Sequence, residues 1–130
     1  IQMDIDSFCA HWDSHGVVLK ATGFILFSRL LMLIVDESSH AISGCSMDKS
    51  VAFIKNVEIK YKISLFDRLL QSALVNNEWQ TASTAIWSEK LKSNEINFET
   101  LFIDTLVNNL YDAQHHLIKN LGSFWLKRVI

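Results

Sequence analysis

The residues best equipped for chemistry are His15 and a short segment holding Asp36, Glu37, Ser43, Cys45, Ser46, Asp48 and Lys49. A thiol at the start of a helix, where Cys45 is predicted to sit, can lose its proton early and act as a nucleophile or redox sensor. His15, Asp36 or Glu37 would then be its base. The commoner role of such a cysteine is that of a small apolar packing residue. Ser43 and Gly44 allow a tight backbone whose amides point outward, which makes an anion pocket at the helix start.

Sharper signatures fail on their letters. Ser46-Met47-Asp48-Lys49 matches S-x-x-K of the acyl-enzyme proteins in two positions only, and its partner motifs are missing. Aligning Lys49-Ser50 with the end of a Walker A loop places Ser43 and Asp48 where both glycines belong. The Asp48 carboxylate would repel phosphate there, so ATPase chemistry is excluded. A phosphatase loop counted from Cys45 ends on Val51 instead of arginine.

These groups hang on a strand, loop and helix unit from Leu30 to Tyr61. Thr22–Phe27 and Leu30–Val35 are apolar runs joined at Ser28-Arg29, which predicts a hairpin whose second strand is central in the sheet. Asp36 and Glu37 mark where that strand leaves the core. Ser46 or Cys45 is the expected N-cap of the following helix.

Ahead of this unit, Ile5, Phe8, Cys9 and Trp12 recur at helical spacing and predict a helix from Gln2 to Ser14, closed by Gly16. His11 and His15 would share one face of it, but two histidines with no third ligand more often pack or face solvent than bind metal. Beyond Tyr61, Ile63–Phe66 and Leu69–Val75 read as extended, Asn76-Asn77 as a turn, and Trp79–Ala82 as the returning strand. Ser83 or Thr84 starts a helix through Leu91, with Ala85, Ile86 or Trp87, and Leu91 inward. Leu101–Val107 is a buried strand or helical turn carrying Asp104, for which Arg68 is the expected partner. A last helix, Tyr111–Asn120, closes on Gly122, and its adjacent His115 and His116 point too far apart to chelate together. The tail from Phe124 to Ile130 is too apolar for water, so it docks on its own domain or on a second copy; symmetric pairing slightly favours a homodimer.

The run His15-Gly16, Val35-Asp36-Glu37, Ser43-Gly44-Cys45-Ser46 with Asp48-Lys49-Ser50, Phe53-Ile54-Lys55, Phe66-Asp67-Arg68 and Asn108-Asn109-Leu110 resembles a small uncharacterised family of Bacteroidota proteins. Its members often carry the label ABC-transporter ATPase, although Walker motifs are missing. The resemblance spans nearly the whole chain and is most specific from Ser43 to Ser50, and it implies a bacterial protein without assigning an activity. Family members usually begin with a further short aromatic segment, so a truncated or partly ordered N-terminus is expected before Ile1. Near the end they show a Ser-Trp pair followed by a polar residue, where this chain has Ser123-Phe124-Trp125.

Length and composition set the frame. The chain has 130 residues, about half of them apolar, and a formal charge of −2 with acids and bases interspersed. That predicts one domain able to bury roughly two-thirds of its unfolded surface. No basic stripe suits nucleic acid, and no apolar run reaches the length of a membrane span. Cys9 and Cys45, far apart, suit a reducing compartment, so the expected location is cytoplasmic. The expected fold is α+β: a single domain in which an antiparallel or mixed sheet is packed by about four helices, with a small α/β sandwich as the alternative. Its predicted core is Phe24, Leu26, Leu31, Leu33, Val35, Val51, Ile54, Leu70, Leu91 and Ile103.

The function expected on these grounds is a binding or interaction module for a protein or small-molecule ligand, without cofactor or metal. The alternative is a cysteine-dependent enzyme or thiol sensor using Cys45. The candidate pocket comprises His15, Asp36, Glu37, Ser43, Gly44, Cys45, Ser46, Asp48 and Arg68.

Overall fold

The computed structural model describes residues 1–130 and shows an α+β protein with four α-helices and exclusively antiparallel sheets. Two compact units divide the chain, Ile1–Phe66 and Asp67–Ile130.

In the first unit, α1 (Gln2–His11) leads into a small hairpin, β1 (Asp13–Ser14) and β2 (Val17–Val18), then a larger one, β3 (Lys20–Leu26) and β4 (Leu30–Asp36), and ends in α2 (Gly44–Tyr61). The first helix stops short of the expected Ser14. Trp12 turns extended, because its buried indole reaches sideways to donate to the Ser46 carbonyl at 2.9 Å. His15 consequently sits in a turn at φ 52° rather than on a helix face with His11. The hairpin expected at Ser28-Arg29 is present, but β4 pairs only with β3 and is not the centre of a larger sheet.

Helix α1 lies on β3, where Gly23 lets Ile5 approach the backbone and the Gln2 side-chain amide donates to the Gly23 carbonyl at 2.9 Å. Helix α2 runs back along α1. Trp12 meets Ser46 at one end, Phe8 stacks on Phe53 with ring centres 4.3 Å apart, and Asp4 takes hydrogen bonds from Lys60 and Tyr61 at the other. The Tyr61 hydroxyl and then the Lys60 ammonium stabilise the ionised Asp4 carboxylate and hold its pKa below the ordinary value. A carboxyl depressed on folding adds stability above its unfolded pKa of about 3.9, and loses it as pH falls through the folded value. Asp4→Asn is therefore expected to lower the melting temperature more at neutral pH than at acid pH, where the wild-type carboxyl takes up its proton and the tie is lost. Equal losses at both pH values would show that the tie is not ionic.

In the second unit, β5 (Leu70–Val75) and β6 (Glu78–Ser83) form a hairpin, followed by α3 (Thr84–Lys92), β7 (Leu101–Ile103), α4 (Leu110–His115) and β8 (Ile118–Asn120). The sheet order is β6-β5-β7-β8, so the parallel crossover of the α/β alternative is absent, and residues 63–66 form no strand. Asn76 and Asn77, at φ 51° and 63°, supply the left-handed pair that a tight hairpin requires. Ser83 caps α3 by accepting from the Ile86 amide, which turns Trp87 fully inward and leaves Ala85 and Ile86 exposed.

The core of this unit is Ala73, Trp87, Ile96, Phe102, Leu121, Phe124 and Leu126, with Leu91 and Ile130 packed against it. Of the ten expected core residues only Ile103 is fully buried, and Val51 is exposed. The apolar β3–β4 hairpin has two strands and no neighbouring strand to cover it, so its side chains are mostly half-buried. The C-terminal tail docks within its own unit through two short 3₁₀ turns that seat Phe124 and Leu126, while Trp125 and Val129 stay exposed.

Two further expectations are corrected here. The strand at Leu101 ends at Ile103, and the final helix ends at His115 because Ile118–Asn120 pairs with β7. Buried Asp104 is partnered by Lys119 at 2.6 Å, not by Arg68, since pairing of β7 with β8 brings Lys119 alongside. Its other oxygen accepts from the Leu106 amide.

Candidate functional site

A surface hollow of about 470 Å³ lies in the first unit where the β1–β2 turn, the loop after β4 and the start of α2 converge. Its wall is built from Ser14 and His15, from Glu37 through Ile42, and from Ser43.

The start of α2 is fixed by hydroxyl chemistry, and its N-cap is Ser43 rather than Cys45 or Ser46. The Ser46 hydroxyl donates to the Asp13 carbonyl at 2.8 Å, so the Ser43 hydroxyl must donate to Ser46 Oγ, also at 2.8 Å. Ser43 Oγ in turn accepts from the Ser46 amide, and Ser46 Oγ from the Ser43 amide, which completes a capping box. Lys49, one turn on, pairs with Asp13, and that pairing first, then the Gly16 amide, holds the Asp13 carboxyl below its ordinary pKa. Ser46 is buried and its proton is committed, so the S-x-x-K spacing carries no nucleophile.

The loop after β4 folds upon its own carboxylates. Asp36 accepts from the Ser38 amide at 2.9 Å, the main reason its pKa is lowered, with the Ser38 hydroxyl and Lys20 adding to it. Glu37 reaches across the loop to accept from the Ile42 amide at 3.0 Å. His40 is pinned against the β1–β2 turn, its Nε2 lying 3.0 Å from the Ser14 carbonyl oxygen. A carbonyl can only accept, so Nε2 carries the proton in that bond.

The structure brings His15, Glu37 and Ser43 of the expected pocket to one wall. Asp36 and Ser46 support the wall without lining it, while Gly44, Cys45 and Asp48 lie exposed on the first turns of α2. Arg68 belongs to the second unit, where its carbonyl accepts from Gln71. The Cys45 thiol is exposed, whereas Cys9 is buried, and that burial first, then the nearby Asp6, pushes the Cys9 pKa up. No group of three or more His, Cys, Asp or Glu side chains could hold a metal ion.

Sequence reasoning missed Ser14, Ser38, Ser39 and His40. His40 is the one imidazole in the loop, and that composition was its available signal. Ser14 had none, because only the fold shows that its hydroxyl is buried without a hydrogen-bond partner. No helix is long and apolar enough to cross a membrane. Comparison with protein-family models, curated proteins and solved structures finds no match to this chain.

Proposed function

We propose that this chain is a cytoplasmic binding module that holds a small polar ligand in the hollow at the start of α2. The observation that carries the reading is the wall itself: serines and histidines from three separate segments line one concave space. Ligand pockets of a few hundred Å³ commonly use a few convergent polar groups in this way. The loop that supplies most of the wall is held in shape by Asp36 and Glu37, so the space is preformed.

Amide NMR spectra of the intact chain against a library of small polar molecules test the proposal. Ligands are expected to shift signals from residues 14–15 and 37–43, and to lose that effect in Ser39→Trp, which fills the hollow. Hits that map elsewhere, or that persist in Ser39→Trp, would overturn it.

A further inference from the structure

We infer that the open edge of β4 pairs with the same edge of a second copy of this chain, joining two hairpins into one continuous four-stranded sheet. β4 has a strand beside it on one side only, β3. No main-chain hydrogen bond other than those of that hairpin reaches residues 30–36. Leu30–Val35 contains no charge and no proline, and every side chain in it is half-buried. Monomeric proteins guard such an edge with a charge, a proline or a bulge, and the unbroken seven-residue register with β3 leaves no bulge. A two-stranded ribbon is also marginal by itself, whereas further strands stabilise it.

The direction of the unused groups follows from the other strand. Directly opposed residues of an antiparallel pair turn their N–H and C=O either both toward one another or both away. Gly23, opposite Leu33, gives its carbonyl to the Gln2 side chain of α1. Leu33, and with it Leu31 and Val35 at alternate positions, therefore turns its peptide groups off the open edge.

The sequence around β4 fits a second copy better than a foreign strand. A twofold axis through Leu33, the middle residue of β4, sets Leu31 against Val35 of the second copy, Leu33 against Leu33, and Leu30 against Asp36. Every residue of the strand is then paired, and the outward groups of Leu31, Leu33 and Val35 meet their counterparts. The same axis sets exposed Arg29 against exposed Glu37 at both ends of the seam. Moving the axis by one residue loses that match. The guanidinium has donors beyond the one that reaches the Ser28 carbonyl, and Glu37 holds the Ile42 amide through Oε1. A foreign strand could cover the apolar stretch, but nothing would require it to carry the opposite charge at each end.

Sedimentation of the intact chain is expected to show a reversible monomer–dimer equilibrium. In hydrogen exchange the amides of Leu31, Leu33 and Val35 should be protected in the dimer and lose protection on dilution, while those of Met32 and Ile34, bonded to β3, stay protected throughout. Val35→Pro removes an N–H that the hairpin does not use, a position where edge strands tolerate proline, so it should yield a folded monomer by circular dichroism. Arg29→Glu, which leaves β4 unaltered, should weaken the dimer by about five- to tenfold, and adding Glu37→Arg should recover part of that loss. A chain that is monomeric at every concentration, a folded Val35→Pro dimer, or a dissociation constant unchanged by Arg29→Glu would overturn the inference. So would amides at 31, 33 and 35 that exchange as fast in the dimer as in the monomer. Protection of those amides only on adding an extended apolar peptide would assign the edge to another chain's strand and reject the second copy.

Discussion

Replacing Trp87 with alanine is expected to remove about 3–5 kcal/mol of stability, the range for deleting a large aromatic from a packed core. Trp87 is fully buried, meets Phe102 edge-on with ring centres 5.2 Å apart, and donates through Nε1 to the Gln71 carbonyl at 3.2 Å. Phe102 in turn stacks on Phe124, so the indole supports the layer on which the C-terminal tail is seated. Alanine would open a cavity and take away the indole donor of the carbonyl of buried Gln71. Trp87→Phe keeps an aromatic ring and should cost less, about 1–3 kcal/mol, reflecting the lost donor and the smaller ring. Urea unfolding followed by circular dichroism measures both. A Trp87→Ala loss under about 1 kcal/mol would contradict a core role, since even modest cavities cost more than that.

Gly23→Ala should also be damaging, though less so and for the opposite reason. A Cβ built at Gly23 would stand 2.5 Å from Ile5 Cγ2, 2.9 Å from Leu33 Cδ2 and 3.0 Å from the Met32 carbonyl oxygen. Ile5 is fully buried and cannot swing into solvent, so α1 must lift from the hairpin. Overpacking of this kind costs about 1–3 kcal/mol. Leucine at position 5 has no Cγ2 branch on Cβ, so Ile5→Leu should recover part of the loss in the double variant although it is neutral or mildly destabilising alone. Strictly additive effects would show that the two residues do not collide, because contacting sites couple by about 0.5 kcal/mol or more.

The two hairpins show where sequence and fold part company. Asn76-Asn77 is a turn by its own chemistry, since asparagine tolerates left-handed backbone. Phe27 and Ser28 adopt the same left-handed conformation, at φ 56° and 55°, with no such preference. There the seven-residue pairing of β3 with β4 imposes the turn on the residues between them. Sequence placed both turns, but only the first for a local reason.

The candidate site divides in the same way. The hydroxyls and the free amides at the start of α2 were legible because a serine and glycine before an apolar helical pattern is a local signal. The cap itself fell on Ser43 instead of its neighbours because Ser46 was drawn down to the Asp13 carbonyl, a partner far away in the chain. His40 and Ser14 entered the wall only when the β1–β2 turn met the loop after β4.

What the sequence determined by itself was local: the α+β class, α2 and α3, the β3–β4 and β5–β6 hairpins, and the mismatch of the chain with a Walker A loop and a phosphatase loop. These follow from turn chemistry, capping and periodicity, which act over a few residues and need no partner. The tertiary structure decided the rest, namely that residues 118–120 leave the last helix to pair with β7, that Lys119 rather than Arg68 meets Asp104, and that Ile5 requires a glycine beneath it. Each of these sets a helix preference of a few tenths of a kcal/mol per residue, or a charge with several eligible partners, against burial worth about 1.5–3 kcal/mol for each large apolar side chain. Burial of Leu117, Leu121, Phe124 and Leu126 outweighs the local preference, and it is a property of contacts that no stretch of sequence contains.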